Sequence, residues 1–122
     1  MKPRDAAKFV SDARDAARDA CEFMGDLTLE QYAALKEKRA AVTHMLEIIG
    51  EALRRAVEID ATIAARISNV AEIIGTRNRI VHGYDRINHE IIWRVVHDDL
   101  PILIRELDIL LPDLPGIESA PQ

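Results

Sequence analysis

The sequence predicts an all-α protein, an antiparallel bundle of four to five helices whose last helix is kinked at a proline. Three observations carry that prediction. Apolar residues recur at steps of three and four along most of the chain, the pattern of helices buried on one face. Ala, Leu, Ile, Glu and Arg dominate, while Gly and Pro number five each, too few for a loop-rich β-sandwich. No strand-like alternation and no repeat of solenoid length is visible.

The elements follow in order. Ala6, Phe9, Val10, Ala13, Ala16, Ala17, Ala20, Phe23 and Met24 form one apolar stripe, and Gly25 is a natural stop for that helix. Thr28-Leu29-Glu30-Gln31 reads as a capping box, with Leu27 and Tyr32 placed as its hydrophobic staple. From there no proline interrupts the chain for about 70 residues. Tyr32 to Ala56 keeps helical periodicity, with a bend expected near Lys36-Glu37-Lys38. Asp60 or Thr62 suits the cap of a short turn through Ile63 and Ile67, and Ser68 or Asn69 the cap of a helix through Val70, Ile73 and Ile74. Gly83 ends that helix. Asn88 caps a final one that runs from Ile91 to Leu110, inside which Pro101 predicts a kink.

With 122 residues and 48% hydrophobic content, the chain supports one domain, 1–122, with a core of about 4–111 and a frayed tail over 112–122. The net charge of −5 excludes a uniformly basic nucleic-acid coat, so any RNA contact needs a local basic patch. A single cysteine, Cys21, excludes an intramolecular disulfide and a cysteine-based zinc site. No apolar run reaches the length of a membrane span and the N-terminus lacks a signal-peptide core, so no membrane partner and a cytoplasmic location are expected.

Metal and cofactor motifs are missing. His82, His89 and His97 are seven and eight residues apart, so no two lie one helical turn from each other. There is no His-Glu-x-x-His, P-loop or Gly-x-Gly-x-x-Gly, and no serine nucleophile elbow. What remains is Gly75-Thr76-Arg77-Asn78-Arg79-Ile80-Val81-His82-Gly83-Tyr84-Asp85-Arg86. It gathers arginines, an amide, an imidazole and a phenol, groups able to hold a phosphodiester and move a proton.

Spacing alone is weak evidence, because about 0.4 Arg-x4-His pairs are expected by chance in such a composition. Arg39 and His44 show the same spacing. Residues five apart on an unbroken helix diverge by roughly 140°, so that pair should separate. Arg77 and His82 differ, because Gly83 lets the backbone leave the helix.

Arg77-Asn78-x-x-x-His82-x-Tyr84 resembles the signature of the HepT-like ribonuclease toxins in the HEPN superfamily. Met45-Leu46-Glu47-Ile48-Ile49-Gly50-Glu51-Ala52 resembles that family's Leu-Glu-x-Ile-Gly-Glu-Ala helix. Glu72 to Asn78 is similar to its lead-in, and Ile91-Ile92-Trp93 with Asp98-Asp99-Leu100-Pro101 to its last helix. Two departures stand out: His44 sits where asparagine is common, and the loop after Tyr84 lacks the usual Phe-Gly.

The resemblance implies a metal-independent endoribonuclease, the toxin of a type VII-like toxin–antitoxin pair, with no cofactor. It implies an RNA substrate, a minimal nucleotidyltransferase antitoxin that adds AMP to Tyr84, and a homodimer, within a larger hetero-oligomer, whose paired motifs line one cleft. In that reading His82 is general acid or base, Arg77 stabilises charge on the phosphate, and Asn78 orients one of them. Arg79 enters only as a supporting phosphate contact. Two other readings stand beside it: a non-catalytic helical nucleotide- or RNA-binding scaffold for the nucleotidyltransferase, and a plain structural bundle. Glu47 and Glu51, one turn apart on a largely apolar helix, suit either arginine partners across the bundle or a place near the cleft.

Overall fold

The computed structural model of the protein describes residues 2–3, 5–81 and 88–116. Among the described residues six α-helices run in the order α1 (Asp5–Met24), α2 (Leu29–Ala34), α3 (Lys36–Ile59), α4 (Val70–Val81), α5 (His89–Arg94) and α6 (Leu100–Leu110). A 3₁₀ turn, Ala61–Arg66, lies between α3 and α4, and a π-helical turn, Val95–Asp99, fuses α5 to α6. Counting α5 and α6 as one run, this is the all-α bundle that the periodicity predicts. No described helix is long and apolar enough to cross a membrane.

Local signals account for most boundaries. Gly25 stops α1 with φ +52°, in the left-handed region where a side chain would be strained. The Thr28 hydroxyl accepts from the Gln31 amide at 3.1 Å, and the Gln31 side chain accepts from the Thr28 amide at 2.9 Å, so both halves of the capping box form. The expected bend near Lys36 is a break at Leu35, whose backbone is extended between α2 and α3. Asp60 caps the 3₁₀ turn through Thr62, and Asn88 caps α5 through Glu90 and Ile91.

One expectation needs correction. Asn69 does stand at the start of α4, where its carbonyl accepts from the Ile73 amide at 3.0 Å. Its side chain, however, donates to Asp99 and the Ser68 hydroxyl donates to Glu106, so both side chains tie α4 to the C-terminal run instead of capping it. At the C-terminal end of the described residues, Leu111–Asp113 is a 3₁₀ turn, Leu114 is buried, and Arg66 pairs with Asp113 at 3.0 Å. The Leu114 side chain, three residues beyond Leu111, extends the core past α6.

The kink at Pro101 takes the form of the π turn. Proline lacks an N–H and its ring collides with the carbonyl four residues back in a regular helix. One residue earlier the ladder has already widened, with the Leu100 amide donating to the Val95 carbonyl five residues behind. The Cys21 thiol lies 3.9 Å from the Val96 carbonyl within this turn, and burial pushes its pKa up. Trp93 anchors α5 to the α1–α2 corner by donating from Nε1 to the Leu27 carbonyl at 2.9 Å, and it stacks on His97.

α1 carries an alanine ridge, Ala6, Ala13, Ala16, Ala17 and Ala20, all buried, and packs most extensively on α3. Small side chains let two helices approach closely. Phe9 near the start of α1 meets Arg55 near the end of α3, so the two run antiparallel. Arg14 and Arg18 reach Asp108 while Cys21 reaches Val96, so α1 is antiparallel to the α5–α6 run as well. α4 packs against α3, and that contact builds the site.

Candidate active site on the α3–α4 face

Arg77 projects from α4 across the middle of α3. The residue beneath it is Gly50. A Cβ at Gly50 would stand 2.2 Å from the Arg77 Cβ and 2.5 Å from its Cγ, distances that no real pair of carbons tolerates. Glycine in mid-helix costs roughly 0.5–1 kcal/mol relative to alanine, so its presence here marks a demand for close approach. The bare backbone at Gly50 is what lets the arginine stem lie flat on α3.

The guanidinium is then held from two sides. Nη2 lies 3.1 Å from Glu51 Oε1, and Nη1 donates to Asn78 Oδ1 at 3.1 Å. Nε is buried and has no acceptor among the described residues. An unmatched buried donor costs about 1–3 kcal/mol, so Arg77 occupies a place it would leave without its other contacts. Its side chain is 21% exposed and lines a cleft.

Glu51 is the hub. Its Oε2 accepts from Arg54 Nη2 and Arg55 Nε, both at 2.8 Å, and Oε1 also accepts from Arg54 Nε at 3.1 Å. Hydrogen bonds from Arg54 and Arg55, with the added charge of Arg77, hold its carboxyl down to about 2. Both of the placements considered for this residue are therefore met at once: it pairs across the bundle, and it borders a cleft.

That cleft has a volume of about 420 Å³ and runs between α1, α3 and α4. Phe9 and Asp12 line it from α1, a stripe of His44, Glu47, Ile48, Glu51, Ala52 and Arg55 from α3, and Arg77 from α4. The stripe follows the helical steps of three and four. Among the described residues that line it, the acidic groups outnumber the arginines. Among the described residues no group of three or more His, Cys, Asp or Glu is placed to hold a metal ion.

Of the residues singled out in the sequence, Arg77 and Asn78 are brought together. His82 and Tyr84, with Gly83 and Arg86, lie outside the described residues. Arg79 is exposed and two positions on from Arg77, about 200° round the helix, and does not line the cleft. The decoy pair separates as geometry requires: the Arg39 guanidinium bonds to the Ala33 carbonyl, while exposed His44 faces the cleft. Sequence reasoning missed the joint role of Gly50 and Glu51. The available signal was an uncapped glycine in the middle of a long helical run, beside a carboxylate.

The chain matches the ribonuclease HepT-like family over residues 13–110. It is a member of that HepT-like family. Among its relatives, "Putative RNase MJ1380" of Methanocaldococcus jannaschii is 34% identical over 112 residues, covering 90% of this chain and all of that protein. "Putative RNase MJ0127" from the same organism is 30% identical, covering 95% of each chain. "Probable ribonuclease HepT" of Thermococcus cleftensis is 26% identical, covering 82% of this chain and 90% of its own. No solved structure gives a significant match. The segment shared with the HepT-like family begins within α1, after the cleft residues Phe9 and Asp12, and includes the α3 and α4 residues of the site.

Proposed function

We propose that the protein is an endoribonuclease in which Arg77 and His82 act together on a phosphodiester. The observation that carries this reading is the Arg77 guanidinium, fixed on Gly50 between Glu51 and Asn78 in a chain of the HepT-like ribonuclease family. His82 takes the proton from the ribose 2′-hydroxyl or gives one to the leaving 5′-oxygen. The bond from O2′ to phosphorus forms as the P–O5′ bond breaks, and Arg77 stabilises the charge that builds on the phosphoryl oxygens. Asn78 keeps the guanidinium oriented. The chemistry needs no metal in this reading.

The same proposal covers the biological setting. The enzyme is a toxin, two copies pair so that their motifs share one cleft, and a nucleotidyltransferase antitoxin silences it by adding AMP to Tyr84. A bulky anionic adduct two residues from His82 repels the substrate phosphate and blocks access.

Incubation of the purified protein with RNA in the presence of a chelator tests the catalytic part. Cleavage is expected, and it should fall by about 10²–10³-fold in Arg77→Ala and to a similar degree in His82→Ala. Parental rates in both variants would sink the reading, and RNA binding without cleavage would point to a scaffold. The mass of the protein co-produced with a nucleotidyltransferase tests the modification, which predicts AMP additions lost in Tyr84→Phe.

A further inference from the structure

The HepT-like reading assigns Arg77 to the phosphate but leaves open what keeps it there. Three contacts do so in this structure: the Gly50 backbone under its stem, Asn78 Oδ1 on Nη1 and Glu51 Oε1 on Nη2. Glu51 differs from the other two in being charged. A carboxylate gripping a guanidinium through two parallel bonds would cancel the charge on which phosphate stabilisation depends.

The arrangement avoids that outcome. Both 2.8 Å bonds to Glu51 come from Arg54 and Arg55, on its own helix at the third and fourth positions on. Arg77 receives one contact, at 3.1 Å, to an oxygen it shares with Arg54 Nε. The carboxylate is thus committed chiefly to its neighbours and touches Arg77 at a single corner. Arg77 keeps the second N–H on each outer nitrogen, and the cleft opens beside it.

We propose that Glu51 is a positioning residue of the cleavage site, which orients Arg77 through one contact while Arg54 and Arg55 offset its charge. The proposal rests on the reading that Arg77 stabilises the scissile phosphate. Because the buried Nε of Arg77 is unmatched among the described residues, loss of the Glu51 contact releases the side chain from the α3 surface. Substrate binding by the remainder of the cleft is left largely intact, so the effect falls on turnover.

The test measures kcat and KM on a fluorophore-quenched oligoribonucleotide containing all four bases, for the full chain, Arg77→Ala and Glu51→Gln. In parallel, the Nε–Hε signal of Arg77 is followed in arginine-labelled protein by NMR and assigned by its disappearance in Arg77→Ala. Glu51→Gln is expected to lower kcat by about tenfold or more with KM changed less than about threefold. It is also expected to move the Arg77 signal and speed its exchange with solvent. Glu51→Asp keeps the charge for Arg54 and Arg55 but withdraws the carboxylate from Arg77 by one methylene, so it should lose turnover too while melting near the parent. It serves as the decisive variant if Glu51→Gln folds poorly.

A kcat near the parent's in the folded Glu51 variants, with Arg77→Ala inactive, overturns the proposal and leaves the catalytic reading standing. A lower kcat with an unmoved Arg77 signal overturns positioning as the cause. Full activity in Arg77→Ala removes the catalytic reading itself, and the proposal with it.

Discussion

Two clusters in this molecule join arginines to a carboxylate across helices, and they do different things. On the α1–α6 seam, Arg14 and Arg18 converge on Asp108 at 3.3 and 3.1 Å, and Arg14, Arg18 and Asp108 are 25%, 51% and 40% exposed. Water can replace the contact between Arg18 and Asp108, and no buried polar atom there lacks a partner among the described residues, so the seam resembles many surface bridges worth little. On the α3–α4 face, Glu51 gathers Arg54, Arg55 and Arg77 beside a cleft, and Arg77 carries a buried donor with no acceptor among the described residues. The first cluster fastens two helices whose buried apolar side chains already hold them together. The second holds one side chain in a place that packing alone would not choose. An ion pair points to function when it constrains a group at some cost, and far less when it only decorates an interface.

Gly50→Ala should break the second cluster most severely. The added methyl must displace either Arg77 or the whole of α4, which costs about 1–3 kcal/mol in chemical denaturation and lowers RNA cleavage together with stability. Gly75 supplies the control, since it is also helical but a Cβ there meets nothing within 4 Å. Gly75→Ala should therefore stabilise by about 0.5–1 kcal/mol. Equal destabilisation by the two alanines would show that the Gly50–Arg77 crossing has no special tightness.

The Glu51 hub should leave a mark on acid stability. Its carboxyl is held at about 2 against an ordinary 4.5, chiefly by Arg54 and Arg55. A depressed folded-state pKa contributes stability that is complete above the unfolded value and fades as pH falls through the folded one. The difference in melting temperature between the parent and Glu51→Gln should accordingly be steady above about 4.5 and shrink toward pH 2. A difference that did not change across that window would mean that the carboxylate gains nothing from its arginines.

The smallest effect is expected on the seam. Asp108→Asn should change stability by less than about 1 kcal/mol, and less again at high salt, with RNA cleavage at the parental rate. A large loss of cleavage in that variant would erase the distinction between the clusters.

Much of the fold is legible because its signals are local. Thr28 with Gln31, Gly25 and Asn88 each act on residues within one turn, and each forms the cap or stop that its chemistry predicts. Pro101 predicts a defect as well, though not that a π turn would absorb it. Ser68 and Asn69 mislead because their side chains have two uses, and the bundle supplies partners thirty or more residues away in Glu106 and Asp99. The site was half visible in the same way. Arg77 and Asn78 stand together in the motif, whereas the partners of Arg77 on α3 are 26 and 27 positions earlier, and no periodicity links them.

What the sequence determined by itself is the helical class, most of the element boundaries and the motif that makes Arg77 a candidate, since caps, periodicity and a compact motif all operate within a few residues. What only the tertiary structure decided is the state of that arginine: flat on a glycine, touched at one corner by a carboxylate whose charge two other arginines offset. That state depends on the crossing distance of α3 and α4, and a crossing distance is set by which residues meet from opposite sides of the contact.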